Sequence, residues 1–176
     1  MVKKLIFIMI LTMVSVVNPN LVSADIGLDS LKSATDFKLF TPHYSTKSWK
    51  LEIKEPYPID LDRSIVKVRL HYFDKSGQTY MFGVEQHKAK GYKIKRSETT
   101  IDVRNKTSTT KVIEEDFKFD TSGENEEING IEARFQPWGD GTPGGVLRWV
   151  QDGTYIEIDS MHLSQKQMVK LAESMK

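Results

Sequence analysis

Two period-two runs around a glycine turn constrain this chain more than any other feature. In the first, Val66, Val68, Leu70 and Tyr72 alternate with Lys67, Arg69 and His71 between Ile65 and Phe73. In the second, Tyr80, Phe82 and Val84 alternate with Met81, Gly83 and Glu85. Successive side chains of a strand point to opposite faces, so each run has one dry face and one wet face. Lys75-Ser76-Gly77 separates them, and glycine accepts the positive φ that a tight turn demands. The pair reads as a β-hairpin with one face in need of a cover.

The rest of the chain supplies more strands and that cover. Trp49, Leu51 and Ile53 alternate with Lys50, Glu52 and Lys54 until Pro56 and Pro58. Tyr92 with Ile94, Ile101 with Val103, and Val112 to Phe119 are weaker strand candidates in the middle. Ser122 to Asn129 is polar and reads as a loop, after which Ile131, Ala133 and Phe135 restore the alternation. Pro137 to Gly145 is the strongest breaker. Val146 to Val150 and the run from Tyr155 through Ile158 then flank the turn pair Asp152-Gly153. Near the start, Leu28, Leu31, Ala34 and Phe37 suit one face of a short helix, which Pro42 excludes from continuing. At the end, Ser164 with Gln167 forms a capping box, and Leu163 with Met168 a hydrophobic staple. Met168, Leu171, Ala172 and Met175 then follow the spacing of a buried helical stripe. The expected fold is α+β: a mainly antiparallel sheet of about six or seven strands, a short N-terminal helix, and a C-terminal helix over the dry face.

The first residues predict export. Lys3 and Lys4 precede the apolar run Leu5 to Val17, Asn18-Pro19 breaks it, and Val22-Ser23-Ala24 offers the small residues a signal peptidase reads. A spanning helix needs about 20 apolar residues, so this shorter run reads as a signal peptide rather than an anchor. Residues 25–176 then form a single domain, secreted or associated with the cell envelope, with no permanent membrane span. The chain has no cysteine, so lipoprotein-type anchoring and disulfides have nothing to use, and stability must come from the core. With 25 basic and 24 acidic side chains, the charge balance argues against a nucleic-acid partner. A basic stretch, Lys88 to Arg96, and an acidic one, Glu114 to Glu127, read as solvated faces or loops.

The C-terminal residues carry a resemblance, mainly over 145–175. Trp149, Asp152-Gly153, Tyr155, Leu163-Ser164 and Ala172-Glu173-Ser174 stand in the order of the domain-of-unknown-function family 4367 (DUF4367) of bacterial extracytoplasmic proteins. Phe37 to Tyr44 with Pro42, and Val66 to Tyr72 before its glycine turn, are similar to the family's earlier part; Ser45 and Thr46 stand where the family has a later proline. The resemblance implies a fold and an extracytoplasmic location, and it implies no chemistry.

The residues themselves offer few candidates for chemistry. His71, Glu85 and His87 fall on the wet faces of neighbouring strands, where three such groups could hold zinc with one open position. Strand register decides whether they meet. His43 and His162 stand apart, the acids Glu114-Glu115-Asp116 read as solvated, and no nucleophile motif is present. Trp138, on the glycine loop, is a candidate contact for a partner. Asn105-Lys106-Thr107 matches the N-glycosylation pattern. The expected function is a non-catalytic exported domain, without catalytic residues or cofactor, that binds a protein or envelope ligand. The alternatives are a metal-dependent hydrolase using the wet-face histidines and a carrier of an apolar ligand. Export makes a direct prediction: the intact mass of the exported protein corresponds to a chain beginning at Asp25. Recovery of the full-length chain in the membrane fraction would contradict it.

Overall fold

The computed structural model describes residues 24–43, 49–56, 64–139 and 141–176, with side chains from residue 27 onwards. The N-terminal run up to Ser23 that is expected to be a signal peptide, the stretch Tyr44 to Thr46 and Pro58 lie outside the described residues. Helix α1 (Ala24–Ala34) comes first, and α2 (Gln165–Glu173) comes last. Between them run nine strands: β1 (Lys50–Glu55), β2 (Lys67–Phe73), β3 (Tyr80–Lys88), β4 (Lys93–Asp102), β5 (Thr107–Asp116), β6 (Glu124–Ile128), β7 (Ile131–Pro137), β8 (Gly145–Gln151) and β9 (Thr154–Ser160). The fold is α+β. Seven strands form one antiparallel sheet in the order β1-β2-β3-β9-β8-β7-β6, and β4 and β5 form a separate pair.

The sheet consists of two local meanders, β1-β2-β3 and β6-β7-β8-β9, joined side by side at β3 and β9. Its dry face follows from the alternation. Val68, Leu70, Phe82, Val84, Ile156, Ile158, Leu147, Trp149 and Ala133 are all fully buried on it. The cover has three parts. Leu31 of α1 and Met168, Leu171 and Ala172 of α2 are buried against the core, and between the helices' positions runs an extended strap with buried Phe37, Leu39 and Phe40. Phe37 therefore lies beyond the helix whose stripe it was expected to continue, yet it remains in the core.

One polar side chain holds the strap. Gln86 lies on the dry face of β3 and is fully buried. Its Nε2 donates to the Phe40 carbonyl (2.9 Å), and its Oε1 accepts from the Phe40 N–H (2.8 Å). Thr154 Oγ1 also donates to the Lys38 carbonyl (3.0 Å). At its far end, Thr41 and Lys176 exchange backbone hydrogen bonds (3.2 and 3.3 Å), and the His43 N–H donates to the Ser174 carbonyl (3.2 Å). The chain beyond α1 is thus sewn to the chain beyond α2.

Several details depart from the sequence-based expectations. Ser122 to Asn129 is largely strand β6, not a loop. Glu124 and Glu126 share the face of Ile128 and meet Gln165 of α2 there, but Ile128 alone of the strand is buried, so the alternation is too short to register. Asn129 (φ 51°) and Gly130 (φ 83°) turn β6 into β7, the same left-handed pair used by Asp152 (φ 49°) and Gly153 (φ 77°). Tyr80 does not share a face with Phe82. The register shifts between Tyr72 and Phe73, which pair with Phe82 and Tyr80, so Met81 is the extra residue of a bulge and Tyr80 turns to the outer face. The middle strand candidates are real, but they pair with each other outside the main sheet, Val103 falls in their turn, and Phe117 and Phe119 lie past the end of β5. No helix among the described residues is long and apolar enough to cross a membrane.

At the start of α2, Gln167 Oε1 accepts from the Ser164 N–H (2.8 Å) and hydroxyl (2.9 Å), while Leu163 and Met168 are buried as the staple requires. A helix of nine residues is marginal alone in water and is held by packing. Leu171→Ala is therefore expected to lower stability by about 2–5 kcal/mol, as truncation of a buried leucine does. The exposed Glu173→Ala should stay within about 0.5 kcal/mol of the parent. Urea titration of both variants checks this, and equal midpoints would place the helix outside the core.

Candidate functional site

The outer face of the sheet carries the chain's polar chemistry. Register aligns Arg69, Glu85, Glu157, Arg148 and Arg134 side by side across β2, β3, β9, β8 and β7. Like charges directly opposite each other are destabilising, so the two glutamates and the two neighbouring arginines need further partners. They have them. Arg69 reaches Glu85 (3.3 Å) and Asp159 (2.7 Å), and Lys67 pairs with Glu55 (2.8 Å) and Glu85 (3.5 Å). The Tyr155 hydroxyl donates to Glu157 (2.5 Å). Arg148 bonds Asp120 and Gln136, and Arg134 bonds Glu132 and Asn125.

Gly83 makes room for the longest of these links. A Cβ there would lie 2.4 Å from the Tyr80 hydroxyl, 2.7 Å from Asp159 Oδ1 and 3.2 Å from Arg69 Nη2. The missing side chain lets Arg69 on β2 cross over β3 to Asp159 on β9, where the Tyr80 hydroxyl also donates (2.6 Å). Burial and the Asp159 carboxylate push the Tyr80 hydroxyl pKa well above its usual value.

The candidate metal ligands are drawn into this lattice separately. His71 lies opposite Gly83, Glu85 opposite Arg69, and His87 opposite Lys67. Arg69 Nε donates to His71 Nε2 (3.0 Å) while its Nη1 donates to Glu85, so one guanidinium takes the two groups that a cation would need. His87 Nδ1 lies 2.8 Å from the Lys88 carbonyl, and the ring is stacked on Tyr92 (3.8 Å) and Tyr155 (4.7 Å). Among the described residues, no three His, Asp or Glu side chains meet where one ion would be held. His43 and His162 are exposed. Trp138 is partly exposed (38%), but its indole N–H donates to the Ser160 carbonyl (2.7 Å), which pins the β7–β8 loop to the sheet. An open groove of about 520 Å³ lies between β6 and α2, lined by Glu126, Gln165, Lys166, Val169, Lys170 and Glu173.

His87 belongs to the root of a different feature. Tyr92 and Phe117 flank it, Phe117 and Phe119 pack on Tyr155, and the Phe117 N–H donates to the Tyr92 carbonyl (2.9 Å). From this aromatic root the β4–β5 arm projects, ten residues to each strand, roughly 33 Å at the usual strand rise. Near the root a charge ladder joins its strands: Lys93 to Asp116 (2.7 Å), Lys95 to Glu114 (3.1 Å) and Arg96 to Glu115 (3.5 Å). The acids that read as merely solvated are thus cross-strand partners. Toward the tip the arm is uncharged on one face, where Ser97, Thr99 and Ile101 oppose Val112, Thr110 and Ser108. Ile101, Val103 and Val112 are 69%, 82% and 60% exposed. Among the described residues, neither β4 nor β5 pairs with a third strand. Hydrophobic periodicity alone could not find this feature, because its alternation has no dry face. The signal was the Thr-rich, β-branched run on both sides of Asp102 to Lys106.

Burial, with Arg69 also acting on His71, holds both His71 and His87 below the ordinary imidazole pKa. The unfolded chain therefore binds more protons than the folded one once pH drops through the ordinary value near 6.5, and stability falls with it. The loss levels off below the folded-state values. Carboxylates remain ionised through most of this window. The urea midpoint is expected to be lower at pH 5.5 than at pH 7.5, and His71→Gln should reduce the difference. Identical midpoints for the parent at the two pH values would contradict the argument.

Among comparisons with known proteins, no curated protein matches this chain, and no solved structure does. One family model, described as domain of unknown function (DUF4367), matches residues 57–175, from before β2 to the end of α2 and including the arm. The chain belongs to the DUF4367 family.

Proposed function

We propose that this protein is an exported, non-catalytic binding domain whose contact element is the β4–β5 arm. The observation that carries the reading is the exposure of Ile101, Val103 and Val112 on a projecting hairpin whose two outer edges are open among the described residues. A two-stranded hairpin is marginal in water, and exposed strand edges are templates for pairing, so proteins tend to cover or blunt them. Here the root is braced by an aromatic cluster and a charge ladder, which hold the arm extended and ready to bind.

Two further points support the reading. The order of charge, apolar run and small residues in Met1 to Ala24 favours export to the envelope or beyond. On the outer face, His71 and His87 are engaged by Arg69 and by stacked rings, an arrangement that holds a sheet together rather than exposing a base to a substrate.

Tyr92 and Phe117 already face each other as a hydrogen-bonded pair, so the arm can be removed at that point. Replacing residues 93–116 by Asn-Gly, which suits a two-residue turn, is expected to leave the urea midpoint nearly unchanged. The same deletion, and Ile101→Asp in the full chain, should abolish retention of the protein by envelope preparations. Undiminished retention by both variants would refute the arm as the contact element.

A further inference from the structure

We infer that the β4 edge of the arm pairs with the β4 edge of a second copy, giving a two-fold dimer with a continuous four-stranded arm. The inference rests on the reading of the arm as the contact element and names a partner for one of its edges. β4 contains no proline and no bulge across Lys93–Asp102, its register to β5 is unbroken, and its outer edge is open among the described residues. Such an edge lacks two of the devices that keep strands apart, proline and a bulge, so its charges, Lys93, Lys95, Arg96 and Glu98, decide what it can pair with.

Charge selects the occupant. In a two-fold antiparallel pair, the residue on the axis faces its own copy, and its neighbours pair reciprocally. Two such registers use nine of the ten residues of β4. One centred on Glu98 would set Glu98 against itself. One centred on Ser97 sets Arg96 of each copy opposite Glu98 of the other. Arg96 and Glu98 already lie 2.7 Å apart on one face of β4, so the two copies would close a ring of four alternating charges. Lys95 would then face Thr99, Ile94 would face Thr100, and no like charges would meet. The β5 edge has no equivalent. Its two longest registers centre on Lys111, which would face itself, or on Val112, which creates no opposite-charge pair. The β4 edge is therefore complementary to itself in one register, which points to a second copy rather than to an unrelated strand.

The absence of cysteine makes the register directly readable. Residues directly opposite across an antiparallel pair have Cα atoms roughly 4.5–5.5 Å apart, within disulfide range. Ser97→Cys is expected to give an intermolecular disulfide under mild oxidation. Thr99→Cys, on the same face but about 14 Å from its copy in this register, should not. Sedimentation equilibrium should show a concentration-dependent dimer. Arg96→Glu or Glu98→Arg alone should weaken it by about tenfold or more, since each puts like charges together. The double variant Arg96→Glu/Glu98→Arg restores opposite charges and should recover parental affinity. A monomer at every concentration, equal cross-linking at 97 and 99, or no recovery in the double variant would each overturn the inference. If envelope retention still depended on the arm in a monomeric protein, the edge would belong to a strand of another protein, and the broader reading would stand without this one.

Discussion

The fold depends on a carboxamide placed where the alternation calls for an apolar side chain. Gln86 faces the dry side of β3, flanked across the sheet by Val68 and Ile156. A buried amide without partners costs more than it contributes, whereas one with both partners fixes its surroundings. Gln86 finds its partners in the N–H and carbonyl of one strap residue, Phe40, and so mimics the backbone of an adjoining strand. That link sets the depth at which Phe37, Leu39 and Phe40 cross the sheet. The strap in turn reaches the final residues through Thr41 and Lys176, so α2 can settle only where the strap allows.

The opposite face is ordered by a different principle. Its charged rows would repel if left to adjacent pairing, because Glu85 stands beside Glu157 and Arg148 beside Arg134. The lattice is relieved by reaching further: Arg69 over Gly83 to Asp159, Arg148 to Asp120, Lys67 back to Glu55. Partly buried pairs of this sort contribute modestly to stability, and their main effect is on geometry. They lock the register of the two meanders against each other, since Arg69 and Asp159 belong to different meanders.

The sequence made the dry face, both helices, the Asp152-Gly153 turn and the α2 cap legible, because each leaves a local signature. The hairpin of β2 and β3 was legible except for the bulge at Met81, which reverses the face of Tyr80 and has no composition of its own. β6 was missed because an acidic edge strand with one buried residue, Ile128, resembles a loop; the Asn129-Gly130 pair was the signal that should have outweighed it. His71, Glu85 and His87 were grouped on one wet face; they lie on the same side of the sheet, but His87 is buried there beneath Tyr92, Phe117 and Tyr155. The grouping ignored Arg69 and Lys67 on the same face of β2, which take up the space between them. The family likeness was read mainly from residues 145–175, where the turn and cap residues are distinctive. The family match itself extends over 57–175.

The seam between β3 and β9 has a kinetic meaning. Each meander is built from strands that follow one another along the chain, but the seam brings Lys88 beside Thr154, with the arm and three strands in between. Pairings so distant along the chain slow folding, because loop closure precedes the reward. The closure penalty grows only logarithmically, by about 0.6 kcal/mol for each doubling of the loop. The arm sits inside that already long loop, so its own length hardly changes the barrier. Folding speed is set by the docking of two meanders, and the projecting strands between them are free to lengthen or shorten over evolution with little kinetic penalty.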